Sequence, residues 1–264
     1  MSHSVVFPMY AINPQENQAL EAAVRELVLA RGIDVNPLTP TPTDLLAHWR
    51  QPDLLLSQTC GYPLVTLLAE VQTVGCFHYS APGCEGINYR SLLVVREADK
   101  TRRLVDFRGR RVVCNSPDSQ SGYNILRKMI APLAREGRFF SEVRFSGSHR
   151  ESLIGLQQGE GDIAAIDCIS WAMLACHEPA VLEGLCVIAQ SPAAPGLPLI
   201  AGPHVSARTL AGLRAALQQL VSDPQYRERC GAQFICGFSP VTREPYSRLL
   251  AWREEARRKG VTQL

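Results

Sequence analysis

Asn115-Ser116-Pro117-Asp118-Ser119-Gln120-Ser121-Gly122-Tyr123 is the stretch whose reading decides the fold. It follows the apolar run Val112-Val113-Cys114 and opens a helical stretch reaching about Ala134. Strand, polar turn, helix is the repeating unit of an α/β protein. At such a junction the first backbone N–H groups of the helix lack intrahelical partners, and the helix end carries positive partial charge. Ser119 and Ser121 add hydroxyl donors, and Gly122 keeps the backbone approachable. The turn is therefore suited to an oxyanion. Serine as an ordinary helix cap is the alternative reading.

The same theme recurs on either side. Ser146-Gly147-Ser148-His149-Arg150 links a strand at Val143–Ser146 to a helix at His149–Gln158, with His149 placed to donate to an anion. Gly161-Asp162-Ile163-Ala164-Ala165-Ile166-Asp167 is a strand whose last residue, Asp167, either caps the next helix or faces the ligand. A carboxylate there repels a fully ionised oxyanion and tolerates one with a proton to donate. Farther out, the pattern predicts a strand over Val5–Tyr10, a helix from Pro14 to Ala30 stopped by Gly32, and a strand at Asp34–Leu38. A short helix near Asp44–Trp49, a strand at Asp53–Ser57 and a helix from Tyr62 to Ala69 complete the first run. Gln58 and Thr59 then sit at a further strand-to-helix junction, in this first run, within Ser57-Gln58-Thr59-Cys60-Gly61-Tyr62, and are candidate ligand contacts.

Two strand-rich crossings, near residues 88–97 and 190–201, bracket a middle block in which the alternation starts afresh. This predicts two lobes, residues 1–92 with 195–264 and an inserted 93–194. Each would be a mixed, mostly parallel sheet flanked by helices, with a ligand cleft between them and closure about a hinge. The helical tail, Pro245 to Lys259, reads as a helix packed on the first lobe.

Composition narrows the function classes. The chain has 264 residues, 46% hydrophobic and 20% charged, which fits a globular protein with a substantial core. A net charge of +2 argues against nucleic acid as a partner. The clusters Arg108-Gly109-Arg110-Arg111 and Arg257-Arg258-Lys259 read as solvated surface. No apolar run is long enough for membrane insertion. No Walker or dinucleotide glycine motif and no metal-ligand spacing occurs, so neither a cofactor nor a metal is expected. The nine cysteines are odd in number and several lie in apolar runs, which suits a reducing compartment; Cys76 and Cys84 could pair in an oxidising one. With Met1-Ser2-His3-Ser4 carrying no Lys or Arg, the sequence as it stands reads as cytoplasmic, or as periplasmic if it is a mature chain.

In order and spacing these segments resemble the phosphate/phosphite/phosphonate substrate-binding proteins of ABC transporters, which have the type 2 periplasmic binding protein fold. The resemblance runs over roughly residues 5–240. It includes Gly86-Ile87-Asn88-Tyr89-Arg90-Ser91, Asp106-Phe107-Arg108-Gly109-Arg110-Arg111, Ser119-Gln120-Ser121-Gly122, Gly147-Ser148-His149 and Gly161–Asp167. It implies a small phosphate- or phosphonate-like ligand, no catalysis and an ABC permease as partner. It also implies that Ser119, Gln120, Ser121, Tyr89, His149 and Asp167 form the pocket. The family's central loop threonine is Gln120 here, and Pro40-Thr41-Pro42-Thr43-Asp44 offers no match for a tyrosine often found after the second strand. Two other readings use the same fold. One is a cytoplasmic ligand sensor; the other is a cofactor-biosynthesis enzyme of the thiamine-pyrimidine-synthase type, with Cys60 and His149 as nucleophile and base.

Overall fold

The computed structural model describes residues 3–37 and 40–264. The chain divides into two compact α/β units. The first comprises the chain up to Ser80, Cys84–Asn88 and Pro195–Tyr246; the second comprises Ala81–Gly83, Tyr89–Ala194 and Ser247–Leu264.

The first unit opens with β1 (Ser4–Val6) and α1 (Pro14–Leu29). Asn13 caps α1 by accepting from the N–H groups of Gln15 and Glu16, Pro14 takes the first helical position, and Gly32 ends the segment at φ +69°. Then come α2 (Leu45–Trp49), β2 (Leu54–Gln58), α3 (Gly61–Thr66) and β3 (Gln72–Tyr79). β4 (Asn88–Tyr89) leads into the second unit, which holds β5 (Ser91–Arg96), β6 (Arg111–Cys114), α4 (Ile125–Ile130), β7 (Glu142–Phe145) and α5 (His149–Gln157). It continues through β8 (Ile163–Asp167), α6 (Cys168–His177) and β9 (Leu185–Gln190) to β10 (Ala194–Pro195), which pairs with β4. Back in the first unit lie β11 (Pro198–Ala201), α7 (Ala207–Ser222), α8 (Arg227–Ala232) and β12 (Ile235–Ser239), and α9 (Ser247–Arg258) ends the helices.

Both sheets are mixed. The first has the order β1-β2-β11-β3-β12, in which β1, β2 and β3 run one way while β11 and β12 are reversed. The second has the order β7-β6-β8-β5-β9, in which only β5 is reversed. The first sheet is lined by Val5, Leu54, Leu56, Phe77, Leu199 and Leu217; the second by Leu93, Phe107, Val112, Leu126 and Ile163. Among the described residues no cysteine is in a disulfide, and Cys76 and Cys84 are not joined. Burial pushes the Cys76 and Cys114 thiols up to about 12, so they behave as small apolar residues.

Several expectations change. The strand expected over Val5–Tyr10 ends at Val6, and Pro8–Tyr10 form a short 3-10 helix, the proline having no N–H for a strand ladder. Asp34–Pro37 form no strand, and Leu38 lies outside the described residues. Two strands, β3 and β12, are absent from the sequence reading and pair with each other. A side chain at Gly75 in β3 would meet the Phe238 ring and the Ser239 carbonyl, so this glycine admits a neighbouring strand. Finally, the tail belongs to the second unit, whereas its sequence suggests the first. Ala256 and Val261 are fully buried in a core shared with Phe107, Tyr123, Leu126 and Ile130, and Arg127 donates to the Thr262 and Arg253 carbonyls.

Candidate functional site

The parallel strands β6, β7 and β8 place their C-terminal ends on one edge of the second sheet. The segments that follow them are the three polar junctions picked out in the sequence. Ligands of open α/β sheets collect at this edge, where helix N-termini converge.

The turn after β6 begins at Ser119, whose Oγ accepts from the Gly122 N–H at 3.0 Å. Gln120–Asn124 then form a π-turn, closed by the Asn124 N–H on the Ser119 carbonyl at 2.9 Å, before α4 continues as a regular helix. Gln120 and Ser121 are the first residues of this helical segment, so their N–H groups lie ahead of its intrahelical ladder. Gly122 is required by the protein itself. A Cβ there would fall on the Asn115 side-chain oxygen, which is buried and accepts no hydrogen bond.

Ser121 Oγ lies 2.8 Å from His149 Nε2. Burial depresses the imidazole to about 4, so it is neutral near pH 7. Its Nδ1 is shut off from solvent with no protein partner. An unpaired buried lone pair is less costly than an unpaired buried N–H. This favours the tautomer in which Nε2–H donates to Ser121, leaving the serine hydroxyl free to donate onward. Ser148, not His149, caps α5, accepting from the Glu151 N–H at 3.1 Å.

Asp167 ends β8 and caps α6. Its Oδ1 accepts from the Ile169 and Ser170 N–H groups at 2.7 and 3.0 Å. The α6 N-terminus is thus already neutralised by a carboxylate of the chain. Tyr89 is buried in β4, two positions before Ser91, which is the register partner of Asp167. Gln120 is buried as well, and its amide oxygen accepts from Asn124 Nδ2 at 2.8 Å, directing the side chain along the helix. Tyr89, Ser119–Gly122, His149 and Asp167 all belong to the second unit.

Gln58 and Thr59 belong to the first unit, at the C-terminal end of β2, and both are buried. Gln58 Nε2 donates to the Tyr79 hydroxyl at 3.0 Å, and Tyr79 packs edge-on against Tyr10 with ring centroids 5.3 Å apart. Trp49 Nε1 donates to the Gln58 carbonyl, and the Thr59 N–H to Pro198 O, both at 3.0 Å. The first unit also holds a cavity of about 950 Å³ at the opposite, N-terminal end of β1 and β2, lined in part by His3, Arg31, Asp34, Asp53 and Arg208. None of the predicted site residues lines it.

Two residues of the site escape the sequence reading. Asn115 fills the space over Gly122, and Asn124 bridges the turn to the tail. The readable signal at Asn124 is a polar residue of modest helix propensity directly before Ile125 and Leu126. Among the described residues no group of His, Cys, Asp or Glu could hold a metal ion, and no helix is long and apolar enough to cross a membrane.

Solved structures of other proteins share this fold. A binding-protein component of an ABC phosphonate transporter from Pseudomonas aeruginosa superposes with TM-score 0.78 at 15% identity, over 98% of this chain and 88% of that one. PhnD1 from Prochlorococcus marinus, solved with methylphosphonate, gives 0.75 at 14% identity over 96% and 97%. A Xanthomonas citri protein bound to ATP gives 0.71 at 15% identity over 98% of each chain. No curated protein matches the sequence. At these identities the structures establish the two-domain periplasmic binding protein fold. Residues 51–246, well over half the chain, match the sequence family described as "ABC transporter, phosphonate, periplasmic substrate-binding protein". With fold and sequence in agreement, the chain belongs to the periplasmic substrate-binding proteins of ABC phosphonate transporters.

Proposed function

We propose that this protein binds a small phosphonate- or phosphate-type oxyanion and presents it to the permease of an ABC uptake system. The ligand would sit in a cleft between the two units and be enclosed by hinge closure. The observation that carries this reading is the Ser119–Gly122 turn, with its outer hydroxyl bonded to a neutral His149 at 2.8 Å. Serine hydroxyls and the first N–H groups of a helical segment form a compact donor set at the sheet edge where such ligands bind. Asp167 would accept a hydrogen bond from the P–O–H of a monoprotonated ligand, and Tyr89, Gln58 and Thr59 would complete the walls. Methylphosphonate in the similar PhnD1 supports this ligand class.

Catalysis is not part of the proposal. His149 is held by Ser121, no carboxylate orients its Nδ1, and its depressed basicity makes it a poor proton acceptor at neutral pH. Calorimetric titration with methylphosphonate, phosphite, inorganic phosphate and sulfate tests the function. Saturable binding of at least one phosphorus oxyanion is expected, with sulfate weaker. The absence of heat and of any rise in melting temperature for all four at millimolar concentration would refute it.

A further inference from the structure

The turn that offers Ser121 is an unusual piece of helix. A π-turn places one more residue in the turn than an α-helix and packs less well, so something beyond local propensity must hold it. The structure supplies that from the tail. Asn124, the last residue of the π-turn, uses its Nδ2 twice: to Gln120 Oε1 at 2.8 Å and to the Leu249 carbonyl of α9 at 3.2 Å. On the same helix, Arg127 donates to the Thr262 carbonyl at 2.9 Å and to the Arg253 carbonyl at 3.4 Å. Lys128 pairs with Glu255 at 2.9 Å and lies over the Trp252 ring. The Tyr123 hydroxyl accepts from the Leu264 N–H at 3.3 Å. The anion turn and the helix it opens are thus fastened to the tail at successive positions.

Stability alone does not account for Asn124. It is buried, and its Oδ1 accepts no hydrogen bond, so half of its bonding capacity is unused at a cost that an apolar residue would avoid. Its donor, however, sets both the spacing of the turn and its position against α9. The tail it grips leaves the first unit at Tyr246, fully buried there, with only Ser247 and Arg248 before Leu249.

We propose that the C-terminal segment Ser247–Leu264 is a clamp on the turn that offers Ser121, with Asn124 as its positioning residue. The clamp holds the turn wide, so that the Gln120 and Ser121 N–H groups and the Ser121 hydroxyl are set before the ligand arrives. The effect on affinity rests on the proposed oxyanion function; the effect on the turn does not.

The test compares amide hydrogen exchange and titration with methylphosphonate and inorganic phosphate in the full chain, in Asn124→Ala and in Lys128→Met. In Asn124→Ala, exchange at the amides of Gly122–Leu126 should rise about tenfold, with β6 and β8 unchanged, and oxyanion affinity should fall about tenfold. Lys128→Met loosens only the outer contact and should raise the same amides about two- to threefold; it decides the matter if Asn124→Ala does not fold. Unchanged exchange, or a rise spread evenly through the second unit, overturns the clamp. A local rise with unaltered affinity overturns its role in binding. A wild-type chain that binds neither oxyanion overturns the proposed function, while the exchange data still judge the clamp.

Discussion

Ser121 Oγ and His149 Nε2, from the turn after β6 and the first residue of α5, lie 2.8 Å apart and join two helix starts of the second unit. The pair converts a buried neutral imidazole into a support for a serine donor. Ser121→Ala removes that donor while leaving the Ser119 cap in place, so oxyanion binding should weaken about ten- to a hundredfold, as expected for a hydrogen bond to a charged group. His149→Phe should weaken it less, since Ser121 keeps its hydroxyl and loses only its orientation. Isothermal titration with methylphosphonate or phosphate measures both. Equal affinity in wild type and Ser121→Ala would place the ligand elsewhere.

Acid should destabilise the protein through imidazoles that burial, full at His48 and partial at His78 and His149, keeps neutral. His149 is depressed to about 4, and burial lowers His48 and His78 as well, whereas an unfolded histidine titrates near its ordinary 6.5. Between these values the unfolded chain binds more protons than the native one, so stability falls as pH falls through 6.5 and levels off below the folded value. The His149 share is about 3–4 kcal/mol at full extent. Urea unfolding from about pH 7 to about pH 4.5 should show this decline, and His149→Gln should flatten part of it. An identical pH dependence in the variant would show that His149 is not the group responsible.

What the sequence makes legible follows the strength of local signals. Each polar junction after a parallel strand combines a short apolar run with Ser, Gly or Asp, so the polar strand-end edge of the second unit, with its candidate residues Ser119–Gly122, His149 and Asp167, is readable. Strands β3 and β12 are not, because Gln72, His78 and the glycines Gly75 and Gly237 break the alternation; their reason is tertiary, the close passage of one strand over another. The tail misleads for a related cause. Its burial rests on a few small or apolar positions, Ala256 and Val261, within a sequence dominated by charge. At Asn124 the sequence shows a polar residue ahead of an apolar pair but not what it holds, because its partner, Leu249, is distant in sequence.

Gly122→Ala should destabilise the second unit, since the added methyl falls on the Asn115 amide oxygen. Overpacking of this kind costs about 1–3 kcal/mol. The Asn115 oxygen accepts no hydrogen bond, so shortening that residue forfeits little. The double variant Gly122→Ala with Asn115→Gly should therefore recover much of the loss in urea unfolding. If it does not, glycine is needed at 122 for the ligand or for the π-turn backbone.

Asp167 caps α6 and is proposed to select the ligand, two roles that one substitution separates. As a cap it uses Oδ1 to accept from the Ile169 and Ser170 N–H groups. An asparagine offers a carbonyl oxygen at the same place, so Asp167→Asn should leave α6 and the melting temperature nearly unchanged. As a selector it would use its charge, which repels a fully ionised oxyanion and accepts a hydrogen bond from the P–O–H group of phosphate or a phosphonate. Sulfate carries no proton at neutral pH, so only the charge discriminates against it. Removing that charge should lower the phosphate-over-sulfate affinity ratio about tenfold or more. Competition titrations of the two ions against wild type and Asp167→Asn give the ratio directly. A ratio that does not move, with folding intact, would reduce Asp167 to a helix cap and assign selectivity to another wall of the site.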